Sequence, residues 1–68
     1  MTPVFAFILE DFQERLGLSD GELMALAREV AHNAALYTLA HLTKAQCAEL
    51  IARLEEIQRI RESETVNG

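Results

Sequence analysis

The sequence predicts a small all-α domain of three helices, near residues 3–16, 20–33 and 44–61. Three kinds of signal lead to this prediction: two capping boxes, a glycine at an expected helix end, and apolar stripes at helical spacing. No stretch alternates apolar and polar residues as a half-buried strand does. We therefore expect one helical domain over residues 1–62, followed by a polar, flexible tail over residues 63–68.

The first helix is predicted to run from Pro3 to Leu16. Thr2 can act as its N-cap, and the fixed φ of Pro3 suits the first helical position. Gly17 is expected to end the helix in a left-handed conformation, which glycine adopts without steric cost. The apolar stripe of this helix consists of Phe5, Ile8, Leu9, Phe12 and Leu16.

The second helix is predicted to begin with a capping box at Ser19 and Glu22. The Ser19 hydroxyl can accept the backbone N–H of Glu22, and the Glu22 carboxylate can accept that of Ser19. The helix is expected to reach about Asn33. Its apolar stripe consists of Leu23, Leu26, Ala27, Val30 and Ala34.

The segment from Asn33 to Leu42 has two interpretations. It can extend the second helix, because it contains no strong helix breaker. Alternatively, Asn33 ends the helix, and Thr38 caps a short turn over Leu39–Leu42 that leads into Thr43. The two threonines are both suitable cap residues, which slightly favours the second interpretation.

The third helix is the longest periodic run, so we expect the other two helices to pack on it. Its capping box is Thr43 with Gln46, and Leu42 before the cap can pack on Cys47 one turn into the helix. Its apolar stripe consists of Cys47, Leu50, Leu54 and Ile57, with Ile51 on the flank.

Three apolar residues do not fit the stripes and are the candidate interface residues: Val4, Phe7 and Ile60. Phe7 lies roughly 160–200° from the centre of its helix's stripe, and Val4 is its neighbour at i−3. A domain of 68 residues is marginally stable alone, and the single Cys47 cannot form an internal disulfide. We therefore expect a homodimer that buries these side chains.

The charge excludes some classes of partner. The formal net charge is −5, whereas non-specific binding to nucleic acid or to an anionic membrane requires a basic patch. The apolar stretch 4–9 is too short to span a bilayer, and it lacks the flanks of a secretory signal. We expect a cytoplasmic protein that binds another protein rather than nucleic acid or membrane.

Few residues suggest catalysis or metal binding. Glu29-x-x-His32 is half of a carboxylate-bridged di-metal motif, but both side chains point away from the helix's own core. His41 and Cys47 show no zinc-ligand spacing, and Cys47 falls on an apolar stripe, where a free cysteine behaves as a small hydrophobe. We expect no cofactor, no metal and no enzymatic activity.

The order of cap and core residues from Leu16 to Leu54 also resembles that of a known kind of protein module. The positions concerned are Gly17, Leu18, Ser19, Asp20, Glu22 and Leu23, then Leu42, Thr43, Gln46, Leu50, Ile51 and Leu54. This order resembles a small helical module of phage and prophage recombination proteins, which often follows a strand-annealing or DNA-binding domain. Because no annealing domain is recognisable here, the resemblance implies an accessory or regulatory module rather than a recombinase.

Two classes of function therefore follow from the sequence. The first is a non-enzymatic protein-interaction module, homodimeric, acting as a small accessory or regulatory protein. The alternative is a small acidic inhibitor that mimics nucleic acid and blocks a basic site on a target enzyme. Sequence-specific DNA binding by the second and third helices is a third class, disfavoured by the scarcity of basic residues.

Overall fold

The computed structural model of the chain contains three consecutive α-helices. It describes residues 3–67, and side chains through residue 64. Helix α1 spans Pro3–Leu16, α2 spans Asp20–Ala31 and α3 spans Lys44–Asn67, with a short 3₁₀-helix at Leu39–His41 before α3. No strand occurs between residues 3 and 67. The predicted all-α class is confirmed for this part of the chain. The proposed cap Thr2 lies outside the described residues.

Helix α1 ends at a glycine, as the sequence predicts. Gly17 has a positive φ of 66°. Its N–H donates to the Glu14 carbonyl, and the Leu18 N–H donates to the Gln13 carbonyl at 2.9 Å. This pair of bonds is the Schellman arrangement, which satisfies carbonyl groups that the last helical turn leaves without partners. Three residues therefore connect the end of α1 at Leu16 to the start of α2 at Asp20.

Both capping boxes are present in the structure. At the start of α2, the Glu22 N–H donates to Ser19 Oγ at 3.1 Å and the Ser19 N–H donates to Glu22 Oε1 at 3.2 Å. Before α3, the Gln46 N–H donates to Thr43 Oγ1 at 3.1 Å and the Thr43 N–H donates to Gln46 Oε1 at 2.9 Å. Each box supplies acceptors to N–H groups that have no partner within the helix.

Helix α2 ends two residues earlier than predicted, at Ala31. His32 adopts a left-handed conformation with φ 53° and ψ 39°, and its N–H donates back to the last turn. Asn33 then starts a turn, because its Oδ1 accepts the Ala35 N–H at 3.0 Å. Ala34, placed on the helical stripe by the sequence, is consequently exposed.

The connection to α3 follows the second of the two predicted interpretations. Thr38 Oγ1 accepts the Ala40 N–H at 3.3 Å and caps the 3₁₀-helix. Leu36 and Leu42 on either side of this turn are buried in the core. The segment is therefore anchored by apolar side chains at both ends rather than by continuing α2.

Helix α3 continues to Asn67, so the predicted helix end at residue 61 and the predicted tail from residue 63 are both misplaced. No proline or glycine occurs between Lys44 and Asn67. The helix gains local support from Gln58 Nε2, which donates to Glu62 Oε1 at 3.2 Å. The polar composition and the terminal Asn-Gly predicted a tail, but a polar segment without breakers can continue a helix that packing has already started.

The core lies between α3 and the other two helices. Leu50 and Leu54 are fully buried and Cys47 is nearly so, as the predicted stripe requires, while Ile51 and Ile57 are half-buried beside them. No polar side chain is buried among the described residues. The other buried residues are Leu9, Phe12, Leu16, Leu23, Ala27, Val30, Leu36 and Leu42.

Truncation of the central leucine tests this core. Leu54→Ala should lower the free energy of unfolding by about 2–5 kcal/mol, because it removes a fully buried side chain and leaves a cavity. Ile60→Ala on the exposed side of the same helix is the control and should cost well under about 1 kcal/mol. Urea denaturation of both variants measures the difference, and equal small effects would contradict the burial of Leu54.

The caps are tested separately. Ser19→Ala and Thr43→Ala should each cost about 0.5–2 kcal/mol, because each leaves a backbone N–H of the first turn without its acceptor. Ser63→Ala, inside α3, removes the same hydroxyl away from any cap and serves as the control. Denaturant melts showing no loss for either cap variant would refute the assigned helix starts.

Candidate functional site

An apolar groove runs between α1, α2 and the connection to α3, and we refer to it as the α1–α2 groove. It has a volume of about 410 Å³. The buried side chains of Leu9 and Leu23 lie at its base, and half-buried Met24 and Leu39 lie along its sides. Its remaining lining residues are Ala6, Glu10, Gln13, Asp20, Tyr37, Thr38 and Ala40.

The outer wall of the groove is held in place by a hydrogen bond from α2. Arg28 Nε donates to the Leu36 carbonyl at 2.8 Å, which fixes the backbone immediately before Tyr37. The Tyr37 ring makes an edge contact with His41, with centroids 5.2 Å apart. Tyr37 lines the groove and is 75% exposed, so its ring lies outside the core.

The groove is negatively charged at its rim. Glu10 and Asp20 are the ionisable acids that line it, and no Lys, Arg or His stands among its lining residues. Gln13 Nε2 donates to Asp20 Oδ1 at 2.7 Å, which links α1 to α2 where the groove meets the turn. The lining therefore combines apolar contact surface with carboxylate oxygens at the rim.

A second surface is the outer edge of α1, which we call the α1 ridge and which consists of Val4 and Phe7. Val4 is 67% exposed and Phe7 is 76% exposed, although both lie on a helix whose other face is buried. Phe7 is one turn before Glu10 on the helix surface, so the ridge borders the α1–α2 groove. The two surfaces together form a partly apolar area with an acidic margin.

The third predicted interface residue, Ile60, does not join the ridge. Ile60 is 53% exposed, and its neighbour Arg61 donates a hydrogen bond to the Leu16 carbonyl at the end of α1. At about 1.5 Å per residue, Phe7 lies roughly 13 Å along the helix axis from Leu16. The structure therefore places Ile60 and the ridge near opposite ends of α1.

Tyr37 was not predicted as a surface residue of interest. Sequence analysis left its segment open between a helix and a turn, so its exposure could not be assigned. One signal for its exposure was present in the sequence: Tyr37 is a large aromatic residue in a segment where Leu36 and Leu42 fill the buried positions. Its exposure became apparent only once the short turn was placed.

The residues considered as metal ligands or catalytic groups have separate surroundings in the structure. Glu29 lies 4.0 Å from Arg53 of α3 as an exposed ion pair, and His32 forms the left-handed end of α2. Cys47 is buried within the core. Among the described residues, no group of three His, Cys, Asp or Glu side chains is arranged to hold a metal ion.

No protein-family model matches the chain, and no curated protein or solved structure matches it either. The resemblance to a module of phage recombination proteins therefore stays a prediction. Within the described part of the chain, none of the helices combines the length and apolar character needed to cross a membrane.

The Arg28 hydrogen bond can be tested through the mobility of the groove wall. Arg28→Ala should cost about 1 kcal/mol and speed amide exchange at Ala40, His41 and Leu42, because the Leu36 carbonyl loses its charged donor. Arg53→Ala is the matched control: it removes only the exposed pair with Glu29, which contributes about 0–0.5 kcal/mol. Hydrogen exchange followed by NMR compares the two, and equal exchange rates would show that Arg28 does not hold the wall.

Proposed function

We propose that this chain is a non-enzymatic protein-interaction module that pairs with a second copy of itself through the α1 ridge. The observation that carries the proposal is the exposure of Phe7, a large aromatic side chain directed away from the core of its own domain. Burying such a side chain contributes about 1.5–3 kcal/mol. An interaction surface is the simplest use for it.

The size of the domain supports self-association. The buried core comprises eleven apolar residues, and no disulfide or metal cluster reinforces it within the described residues. Small domains of this kind gain stability when a partner covers further apolar area. A two-fold dimer would bury the ridge of each copy against the same ridge of the other.

The charges beside the ridge impose a condition on such a dimer. Glu10 and Glu14 follow Phe7 at i+3 and i+7, so they lie along the same side of α1. Each copy carries a net charge of −5, so a dimer built on the ridge gathers the carboxylates of both copies near one interface, and their repulsion opposes association. Asp11 carries less of this repulsion, because Arg15 forms an ion pair with it.

The dimer is tested by removing the aromatic anchor. Phe7→Glu should convert the protein to a monomer, because it replaces apolar area with a further like charge, while helicity by circular dichroism stays unchanged. Ile60→Glu makes the same substitution at the exposed position near the other end of α1 and should leave the dimer intact. Sedimentation across a concentration series measures both variants. A wild-type protein that stays monomeric at high micromolar concentration would refute the proposal.

Salt and a neutral variant provide the control for this test. Raising the ionic strength should strengthen the dimer, because salt screens the repulsion between the acidic surfaces of the two copies. Glu14→Gln should strengthen it at low salt and flatten the salt response, whereas Glu56→Gln on α3 should do neither. A dimer that weakens with salt must use a different face.

A further inference from the structure

We infer that the α1–α2 groove is a docking site for a cationic, amphipathic segment of another protein, with apolar side chains that enter the groove and Lys or Arg side chains that meet its rim. This inference deepens the proposed function, on which it rests, by naming the chemical class of a partner other than the second copy. It concerns a surface next to the α1 ridge, with which it shares the carboxylate of Glu10.

The first argument is charge complementarity. Glu10 and Asp20 lie on opposite sides of the groove, one on α1 and the other on the first turn of α2, and no cationic side chain lies among the lining residues. A cationic segment would therefore meet a carboxylate on either side of its apolar anchors. A second copy of this chain suits the groove poorly, because each copy carries a net charge of −5.

The second argument is the shape and composition of the groove. Leu9 and Leu23 provide an apolar base, and the exposed ring of Tyr37 provides a wall. Grooves between helices commonly bind the apolar face of an amphipathic segment through side chains spaced at i, i+3, i+4 and i+7. Tyrosine is well suited to such a wall, because its ring is apolar and its hydroxyl stays in contact with water.

The third argument is the support of the wall. The Arg28 hydrogen bond to the Leu36 carbonyl and the buried Leu36 side chain hold the Tyr37 segment against α2 in the absence of any partner. A binding surface that is held in place before the partner arrives loses less conformational entropy on binding.

The experiment uses three synthetic peptides of equal length that contain neither Tyr nor Trp. The first combines Leu at i, i+3, i+4 and i+7 with Lys elsewhere; the second keeps Leu but carries Glu instead of Lys; the third keeps Lys but carries Ser instead of Leu. The protein contains one Tyr and no Trp, so its intrinsic fluorescence reports on Tyr37 alone. Only the Lys/Leu peptide should change this fluorescence saturably, and its affinity should fall as salt rises.

Two variants locate the binding site. Ala40→Lys places a long cation in the groove and should weaken the Lys/Leu peptide by about tenfold, whereas Ala52→Lys on the exposed side of α3 should change its affinity less than about twofold. Glu10→Gln should weaken it by about threefold and reduce its salt dependence, and Glu56→Gln should not. Circular dichroism verifies that each variant retains its helices.

Several results would overturn the inference. An equal response to the Lys/Ser peptide would indicate general attraction to an acidic surface, and an equal response to the Glu/Leu peptide would indicate apolar adhesion without charge selection. Equal effects of Ala40→Lys and Ala52→Lys would place binding elsewhere, and no response to the Lys/Leu peptide would also refute the inference. Sedimentation measures the oligomeric state independently of peptide binding. A groove that binds no peptide can therefore be distinguished from an α1 ridge that forms no dimer.

Discussion

The domain depends on one apolar seam, the stripe of α3 that carries Cys47, Leu50 and Leu54. These side chains are 0–2% exposed, and both α1 and α2 pack against the helix that bears them. Arg61 adds a polar link from α3 to the end of α1 through the Leu16 carbonyl. Because a short chain buries only about 60% of its unfolded surface, no second core compensates if this seam is disrupted.

The same constraint explains why large apolar side chains remain outside. In a three-helix domain of this size, apolar side chains are buried mainly where α1 and α2 face α3. Leu9 and Leu36 are buried, whereas Phe7 and Tyr37, which are close to them in sequence, remain exposed. The α1–α2 groove has the same origin, because α1 and α2 both pack against α3 and leave a gap between them. The exposed apolar surface is thus a consequence of the fold that a partner can use.

Charge divides this surface between two kinds of partner. Along the α1 ridge, a second copy brings like carboxylates together, so its association is expected to strengthen with salt. In the groove, Glu10 and Asp20 favour a cationic segment, so that association is expected to weaken with salt. The two interactions share a margin at Glu10, but their opposite salt dependence distinguishes them. This distinction does not require the partner to be identified.

The helix count, the starts of α2 and α3, the left-handed end of α1 at Gly17, and the stripe of α3 could all be predicted from the sequence, because each depends on local spacing and capping chemistry. The exposure of Phe7 was predictable too, since a residue's angle on a helix follows from its number. The end of α2, the continuation of α3 to Asn67 and the separation of Ile60 from the ridge became known from the folded structure. The groove and the role of Tyr37 belong to the second group for the same physical reason. They are set by contacts between different elements, such as Arg28 of α2 with Leu36 of the connection and Gln13 of α1 with Asp20 of α2, and the apolar period of a single helix does not encode which elements meet.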